Sequence, residues 1–446
     1  MSQALRYLST RGISPAATLS EAIAAGLAPD GGLYIPEQLP QIDPRDFAAA
    51  GTLADTAATL LAPFFAGDAL ADELPAICAE ALTFPTPLRS LPHHPKTALL
   101  ELFHGPTAAF KDVGARFLAA CLRRLRGDSS SRLTILVATS GDTGAAVGAA
   151  FHRQPGIEVV ILYPDGRVSP RQAHQLGCFG DNVQALRVQG RFDDCQRMVK
   201  AALSDAALQA RSPLSSANSI SLGRLLPQMS YYAHAALVGW REHGEALNLV
   251  IPTGNLGNAL AAVWTRQMGL PIARIRLACN ANATLPDFFA GDDYAPRQAV
   301  ATLANAMDVG APSNFERLLW TFPQANELRS QLHAQSVDDR TICDVVAKHA
   351  HEHDEVFCPH TATAMRVLDE LREAGDDAAW AVVATAHPAK FETVVEPLVG
   401  KSIDVPGALA AMLDRPASAE PLAADDGALR QWLLLRADEN SAATVP

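Results

Sequence analysis

The chain has 446 residues and a formal net charge of −12, room for roughly two or three domains at ~100–200 residues each. Its 48% hydrophobic and 19% charged residues suit a globular α/β enzyme and exclude a disordered chain. The acidity disfavours nucleic acid or an anionic membrane as the main partner, and it demands local basic residues wherever a phosphorylated ligand binds.

The opening, MSQALRYLSTRG, has no apolar run behind its charges, and no stretch goes ~18 residues without polar interruption. A cytoplasmic protein without a membrane span is expected. The seven cysteines are scattered and lack C-x-x-C spacing, which reads as reduced thiols and no structural zinc. Without an export signal, the sequon at Asn282 reads as chance.

Residues 1–92 form one expected domain. They are helix-rich by apolar spacing, as in LSEAIAAGL, and carry a Gly/Pro turn cluster from Pro29 to Pro36. The proline-rich stretch from Phe84 to Pro95 reads as a linker. Residues 93–415 then alternate short apolar runs with amphipathic segments. Leu133–Ala138, Glu158–Leu162, Leu247–Ile251, Ile275–Cys279 and Ala381–Ala384 read as buried strands. Such runs imply parallel sheets covered on both faces, with ligands beyond the carboxyl ends of the strands. Residues 416–446 read as a C-terminal tail, a helix with a frayed end.

Five segments offer chemistry. In ELFHGPTAAFKDVGARF, Lys111 follows the apolar residues Ala108–Phe110 and precedes a helix. Partial desolvation there lowers a lysine's pKa and exposes a nucleophilic amine able to condense with an aldehyde. The bland alternatives are a solvated lysine, or one paired with Asp112, which could also serve the helix start. In ATSGDTGAAVGA, Thr139, Ser140, Asp142 and Thr143 surround glycine amides at a strand end. They read either as a helix cap or as the grip on a polar ligand.

In SSANSISLGRLLPQ, Arg224 lies on a helix near Asn218. It suits bidentate contact with phosphate, or a surface ion pair. In LNLVIPTGNLGNAL a strand, a Gly/Asn turn and a helix follow in order. Gly254 and Gly257 admit close approach of an anion to the helix start; an ordinary strand-to-helix turn is the alternative. The turn lacks a Walker lysine, and no G-x-G-x-x-G with a downstream acid is present, which disfavours ATP and NAD. In WAVVATAHPAKF, Thr385 ends a strand where a hydroxyl could face a heterocyclic nitrogen or cap a helix; His387 and Lys390 follow it. HEHDE at His351–Glu355 is not the H-E-x-x-H pattern and reads as a polar helix face, and His93-His94 lacks metal spacing. No metal site is expected.

FHGPTAAFKD, ATSGDTG, IPTGNLGN, NSISLGRLLPQ, DVGAPSNFERL and ATAHPAKF resemble, in this order, the motifs of the threonine synthase family. The likeness is to its longer branch of bacteria and fungi, whose N-terminal domain YLSTRG and GLAPDGGLYIP also resemble. The resemblance implies a fold type II pyridoxal-phosphate enzyme, similar to the tryptophan synthase β chain, with two α/β lobes behind an N-terminal domain. It implies conversion of O-phospho-L-homoserine and water to L-threonine and phosphate, by a monomer or small homo-oligomer. Lys111 then matches the lysine that carries pyridoxal phosphate and acts as general base. Gly254, Asn255, Leu256, Gly257 and Asn258 match the loop for the cofactor phosphate, and Thr385 the hydroxyl facing the pyridine nitrogen. Thr139, Ser140, Asp142 and Thr143 match the segment near the substrate carboxylate. Asn218 and Arg224 match the segment facing the substrate phosphate. Ser221, Gly223 and Leu256 depart from the family pattern. The alternatives are another fold type II lyase, such as a serine or threonine dehydratase, and a catalytically idle relative. The dehydratases lack the DVGAPSNFERL segment and the N-terminal domain.

Overall fold

The computed structural model describes residues 4–127 and 132–443. In chain order the strands are β1 (Tyr7–Ser9), β2 (Tyr34–Pro36), β3 (Leu88–Ser90), β4 (Thr97–Glu101), β5 (Leu133–Ala138), β6 (Ile157–Pro164) and β7 (Val183–Gln189), then β8 (Leu214–Ser216), β9 (Leu247–Pro252), β10 (Ile272–Cys279), β11 (Leu332–Ser336), β12 (Trp380–Ala384) and β13 (Glu420–Ala423). The apolar runs become strands because both of their faces are covered: every residue of β5 and of β12 is buried.

One sheet has the order β13-β7-β6-β5-β8 and is wholly parallel. The other has the order β11-β10-β9-β12-β4-β3. It is parallel except for β3, which runs antiparallel to β4. These are the two α/β lobes. In each sheet the parallel strands end on a common edge, and the loops after β4, β5, β8, β9 and β12 hold the segments singled out above.

Three segments depart from their expected roles. The proline-rich stretch 84–95 is more than a linker, since it supplies β3. An edge strand tolerates the nearby prolines because only one of its sides is paired. In the Pro29–Pro36 cluster the turn is confined to the front half, and Tyr34–Pro36 pairs with Tyr7–Ser9. The tail supplies β13, parallel to β7, and the helix Asp426–Ala443. Leu429 and Leu433 bury against the cluster holding Met198 and Val199. An open edge at β7 would expose unpaired backbone groups, and β13 covers it. Residues 444–446, where fraying is expected, lie outside the described residues.

The N-terminal segment packs into the body of the protein. Tyr7, Phe47, Leu61, Phe64 and Phe65 belong to the same buried cluster as Phe117 and Leu237. Phe65 meets Phe117 edge to face at 6.1 Å. Each such ring stabilises by roughly 1.5–3 kcal/mol on full burial. His93 and His94 stack on His353 and His349 at 4.9 and 4.8 Å, holding the turn before β4 against the helix Asp339–His353.

Candidate active site

Lys111 is the first residue of the helix Lys111–Arg126. The turn before it is fastened at both ends. Asp112 accepts from the Thr107 amide and hydroxyl, each at 2.8 Å, so it serves that turn and forms no pair with Lys111. The Phe110 amide donates to the Thr385 carbonyl at 2.8 Å, and the His387 amide to the Ala108 carbonyl at 3.0 Å. Ala108 holds a left-handed φ of 55°, a conformation that costs a non-glycine residue energy and persists only where the surroundings fix it. Burial, reinforced by the Arg224 cation, lowers the Lys111 pKa to about 8. A larger share of neutral amine is therefore present near neutral pH than for a solvated lysine.

Lys111 lies where two compartments meet. One holds Thr253, Gly254, Asn255, Leu256, Gly257, Asn258 and Thr385, together with Asp142 and His360. Here β9 ends and the helix Gly257–Gln267 begins. Leu256 precedes the helix with a φ of 62°, and no side chain caps the helix start, which leaves its amides for an anion. A Cβ on Gly254 would sit 2.7 Å from the Met307 Cα, so only glycine fits. Asn255 Nδ2 donates to Ser219 Oγ at 2.7 Å, and its Oδ1 accepts from the Ser313 amide at 2.5 Å. Asn258 Oδ1 accepts from the Tyr231 and Tyr232 hydroxyls at 2.6 and 2.8 Å. Its buried Nδ2 has no protein partner.

The other compartment is lined by Thr139, Ser140, Thr143, Asn218, Ser219, Lys200 and Leu27, again with Lys111 and Asn255. Thr139 Oγ1 accepts from the Gly141 and Gly144 amides at 2.9 and 3.0 Å. Its oxygen therefore shapes the turn, as the helix-cap reading has it. Gly141 has a φ of 135°, and a Cβ there would meet Gln172 Nε2 at 2.5 Å. Asn218 Oδ1 and Ser221 Oγ are buried without partners.

Two of the residues expected on the substrate side, Asp142 and Arg224, do not line the second compartment. Asp142 faces the first compartment and forms an ion pair with Lys390 at 2.9 Å. It also accepts from Gln172 at 3.0 Å. Burial opposes its ionisation, but the Lys390 cation, His360 and the hydrogen bonds from Lys390 and Gln172 together hold its pKa below the usual value. Lys390 is itself fully buried and donates to the Thr107 carbonyl at 2.7 Å. Arg224 is fully enclosed and lies behind the cavity wall. Its Nη1 donates to the Ala217 carbonyl, while Nε and Nη2 have no partner. Burial lowers its pKa to about 10, and it is no surface ion pair.

The sequence reading missed His360, Gln172, Asn305 and Lys200. Burial depresses His360 to about 4, so its ring is neutral, and its Nε2 accepts from the Ala306 amide at 3.0 Å. Asn305 donates to Gln172 Oε1 at 3.0 Å. Nothing local marks these three, because their partners lie far off in the chain. Lys200 could have been found: Phe192, Gln196, Lys200 and Leu203 form one face of the helix Phe192–Ser204, and all four line the second compartment.

Three family descriptions match in succession: "Threonine synthase N terminus" at residues 6–82, "Pyridoxal-phosphate dependent enzyme" at 80–388, and "Threonine synthase, C-terminal" at 361–432. Over 424 residues the chain is 37% identical to the threonine synthase of Escherichia coli K12, covering 94% of this chain and 96% of that one. The chain belongs to the threonine synthase family. The crystal structure of the Escherichia coli threonine synthase superimposes with a TM-score of 0.89 at 34% identity, covering 97% of this chain and all of that one. The pyridoxal-phosphate-bound threonine synthase of Brucella melitensis gives 0.87 at 33% identity, covering 97% and 99%. As a threonine synthase family member the chain is a pyridoxal-phosphate-dependent lyase. The first compartment fits that cofactor: an uncapped helix start behind Gly254 suits its phosphate, the buried amide nitrogen of Asn258 has no partner, and the amine of Lys111 is within the same walls.

Proposed function

We propose that the cleft around Lys111 converts O-phospho-L-homoserine and water to L-threonine and phosphate. The observation that carries this is the meeting of two compartments at one desolvated lysine, the first fitted to an anion and the second lined with polar side chains.

The amides of Gly254–Asn258 would hold the cofactor phosphate, Thr385 would face its ring nitrogen, and Lys111 Nζ would carry it covalently. When bound, pyridoxal phosphate supplies an electron sink for negative charge at the substrate's α carbon. Lys111 would take the α proton as the general base. Its lowered pKa suits that task near neutral pH. Thr385 offers a hydroxyl where a carboxylate would keep the ring nitrogen protonated. Ser140, Thr143 and the amides of their turn orient the substrate carboxylate. Asp142 acts in this turn through Lys390 and Gln172.

Asn218, Lys200 and the enclosed cation of Arg224 lie on the substrate-phosphate side. The unpaired Oδ1 of Asn218 supports polar recognition there, and the enclosed Arg224 adds positive charge from behind the wall. Leu27 brings the N-terminal segment to the rim as a cap. No described helix is long and apolar enough to cross a membrane. With the charge of −12, this supports a cytoplasmic enzyme acting on small molecules.

Purified protein incubated with O-phospho-L-homoserine should release phosphate and threonine in equal amounts. Lys111→Ala should lower that turnover by roughly 10⁴-fold and abolish covalent attachment of the cofactor, seen in the visible spectrum. Wild-type protein that binds no pyridoxal phosphate, or deaminates serine but leaves the phosphate ester intact, would defeat the proposal.

A further inference from the structure

Arg317 is fully buried, and no carboxylate lies within ion-pair distance of it among the described residues. Burying a guanidinium without a counter-ion is costly unless its donors are met. Here they are met by oxygens from two distant parts of the chain and from the start of its own helix. Nε and Nη2 donate to the Tyr34 carbonyl at 3.0 and 2.8 Å, Nη2 also to the Ile220 carbonyl at 2.7 Å, and Nη1 to Asn314 Oδ1 at 2.8 Å. Tyr34 belongs to the N-terminal segment, and Ile220 follows Asn218 and Ser219 on the cavity wall. Asn314 passes the connection on: its Nδ2 donates to the Asn255 carbonyl at 3.0 Å and to the Ser219 carbonyl at 3.4 Å. The neighbouring Ser313 amide holds Asn255 Oδ1.

The chain of contacts therefore runs from the N-terminal segment through Arg317 and Asn314 to the backbone of the 254–258 loop. A packing role alone needs no cation, and an apolar side chain would fill the space at lower cost. A planar fork with five donors is what joins the two distant carbonyls to the Asn314 side chain.

We propose that Arg317 is a positioning residue through which the N-terminal segment fixes the 254–258 loop and so sets the protein's affinity for the cofactor phosphate. This rests on the reading that this loop holds that phosphate. Leu256, with its left-handed backbone, needs such external bracing to stay in place.

The test uses the full-length chain and pyridoxal phosphate itself. Arg317→Met, Arg317→Lys and Asn314→Ala are freed of cofactor and titrated with it, with melting temperature and amide hydrogen exchange at 254–258 followed in parallel. Arg317→Met should bind the cofactor at least about tenfold more weakly, the equivalent of one lost charge-assisted hydrogen bond. Arg317→Lys should recover part of that loss. Asn314→Ala keeps the contacts to Tyr34 and Ile220, so it should remain folded yet bind about fivefold more weakly and exchange faster in the loop. It decides the matter if Arg317→Met does not fold. Variants that melt earlier but bind with wild-type affinity would make Arg317 a purely structural residue and overturn the proposal. A wild type that takes up no cofactor would instead remove the reading on which it rests.

Discussion

On one side of Lys111 the loop 254–258 is cross-linked at nearly every side chain that can bond: Asn255 to Ser219 and Ser313, Asn258 to two tyrosines. On the other side Asn218 Oδ1 is buried without a partner in the compartment wall, and behind that wall so are Ser221 Oγ and two nitrogens of Arg224. With the cofactor and substrate placed as proposed, the difference matches how long each ligand stays. A resident cofactor rewards a loop fixed in advance, because ordering is then not repeated at each turnover. A substrate that enters and leaves needs polar groups kept free to meet it. Unpaired buried groups cost stability; in the loop 254–258 Asn258 Nδ2 is one such side-chain group, and the other side carries more of them.

The strongest way to break the contrast is Asn258→Ala. It leaves the Tyr231 and Tyr232 hydroxyls without their shared acceptor and should destabilise the fold by roughly 2–4 kcal/mol. Denaturant unfolding reads this directly, and an unchanged midpoint would mean the loop is not braced as described. The boundary between the two sides is probed by pH. Lys111 titrates near 8 in the folded protein, and only its neutral amine attacks an aldehyde. Covalent reconstitution of cofactor-free protein should accelerate by about tenfold per pH unit below that value and level off above it. A flat stopped-flow profile from pH 6 to 8 would place the lysine in a different environment. The smallest effect belongs to Lys200, which is exposed and lines only the second compartment, proposed for the substrate. Lys200→Ala should raise KM for O-phospho-L-homoserine about fivefold, leaving kcat and cofactor affinity unchanged. A loss confined to kcat would refute a role in substrate capture.

Much of the site is legible locally because each motif is a strand end, a turn and a helix start within a few residues. Lys111 ahead of its helix and Gly254 at the β9 turn need no distant information. The roles of Asp142 and Arg224 were less legible. In the sequence a carboxylate in a Gly-rich turn and an arginine on a short helix look ready for ligand. In the fold Asp142 is engaged by Lys390, and Arg224 is closed behind the wall. The helix face of Lys200 was readable, but its helix belonged to no recognised motif.

The sequence by itself determined five buried strands (β5, β6, β9, β10 and β12), the turns at the ends of β5, β9 and β12, and the family, since these follow from short-range apolar pattern, backbone preference and contiguous motifs. Only the tertiary structure decided that β12 lies between β9 and β4, with Val382 opposite Leu99. It alone decided that β13 closes the β7 edge, that Lys390 neutralises Asp142, and that Arg317 reaches back to Tyr34. Strand pairing uses backbone groups common to every residue, and a buried charge takes whichever partner packing brings within 3–4 Å. Neither leaves a mark in the residues on either side.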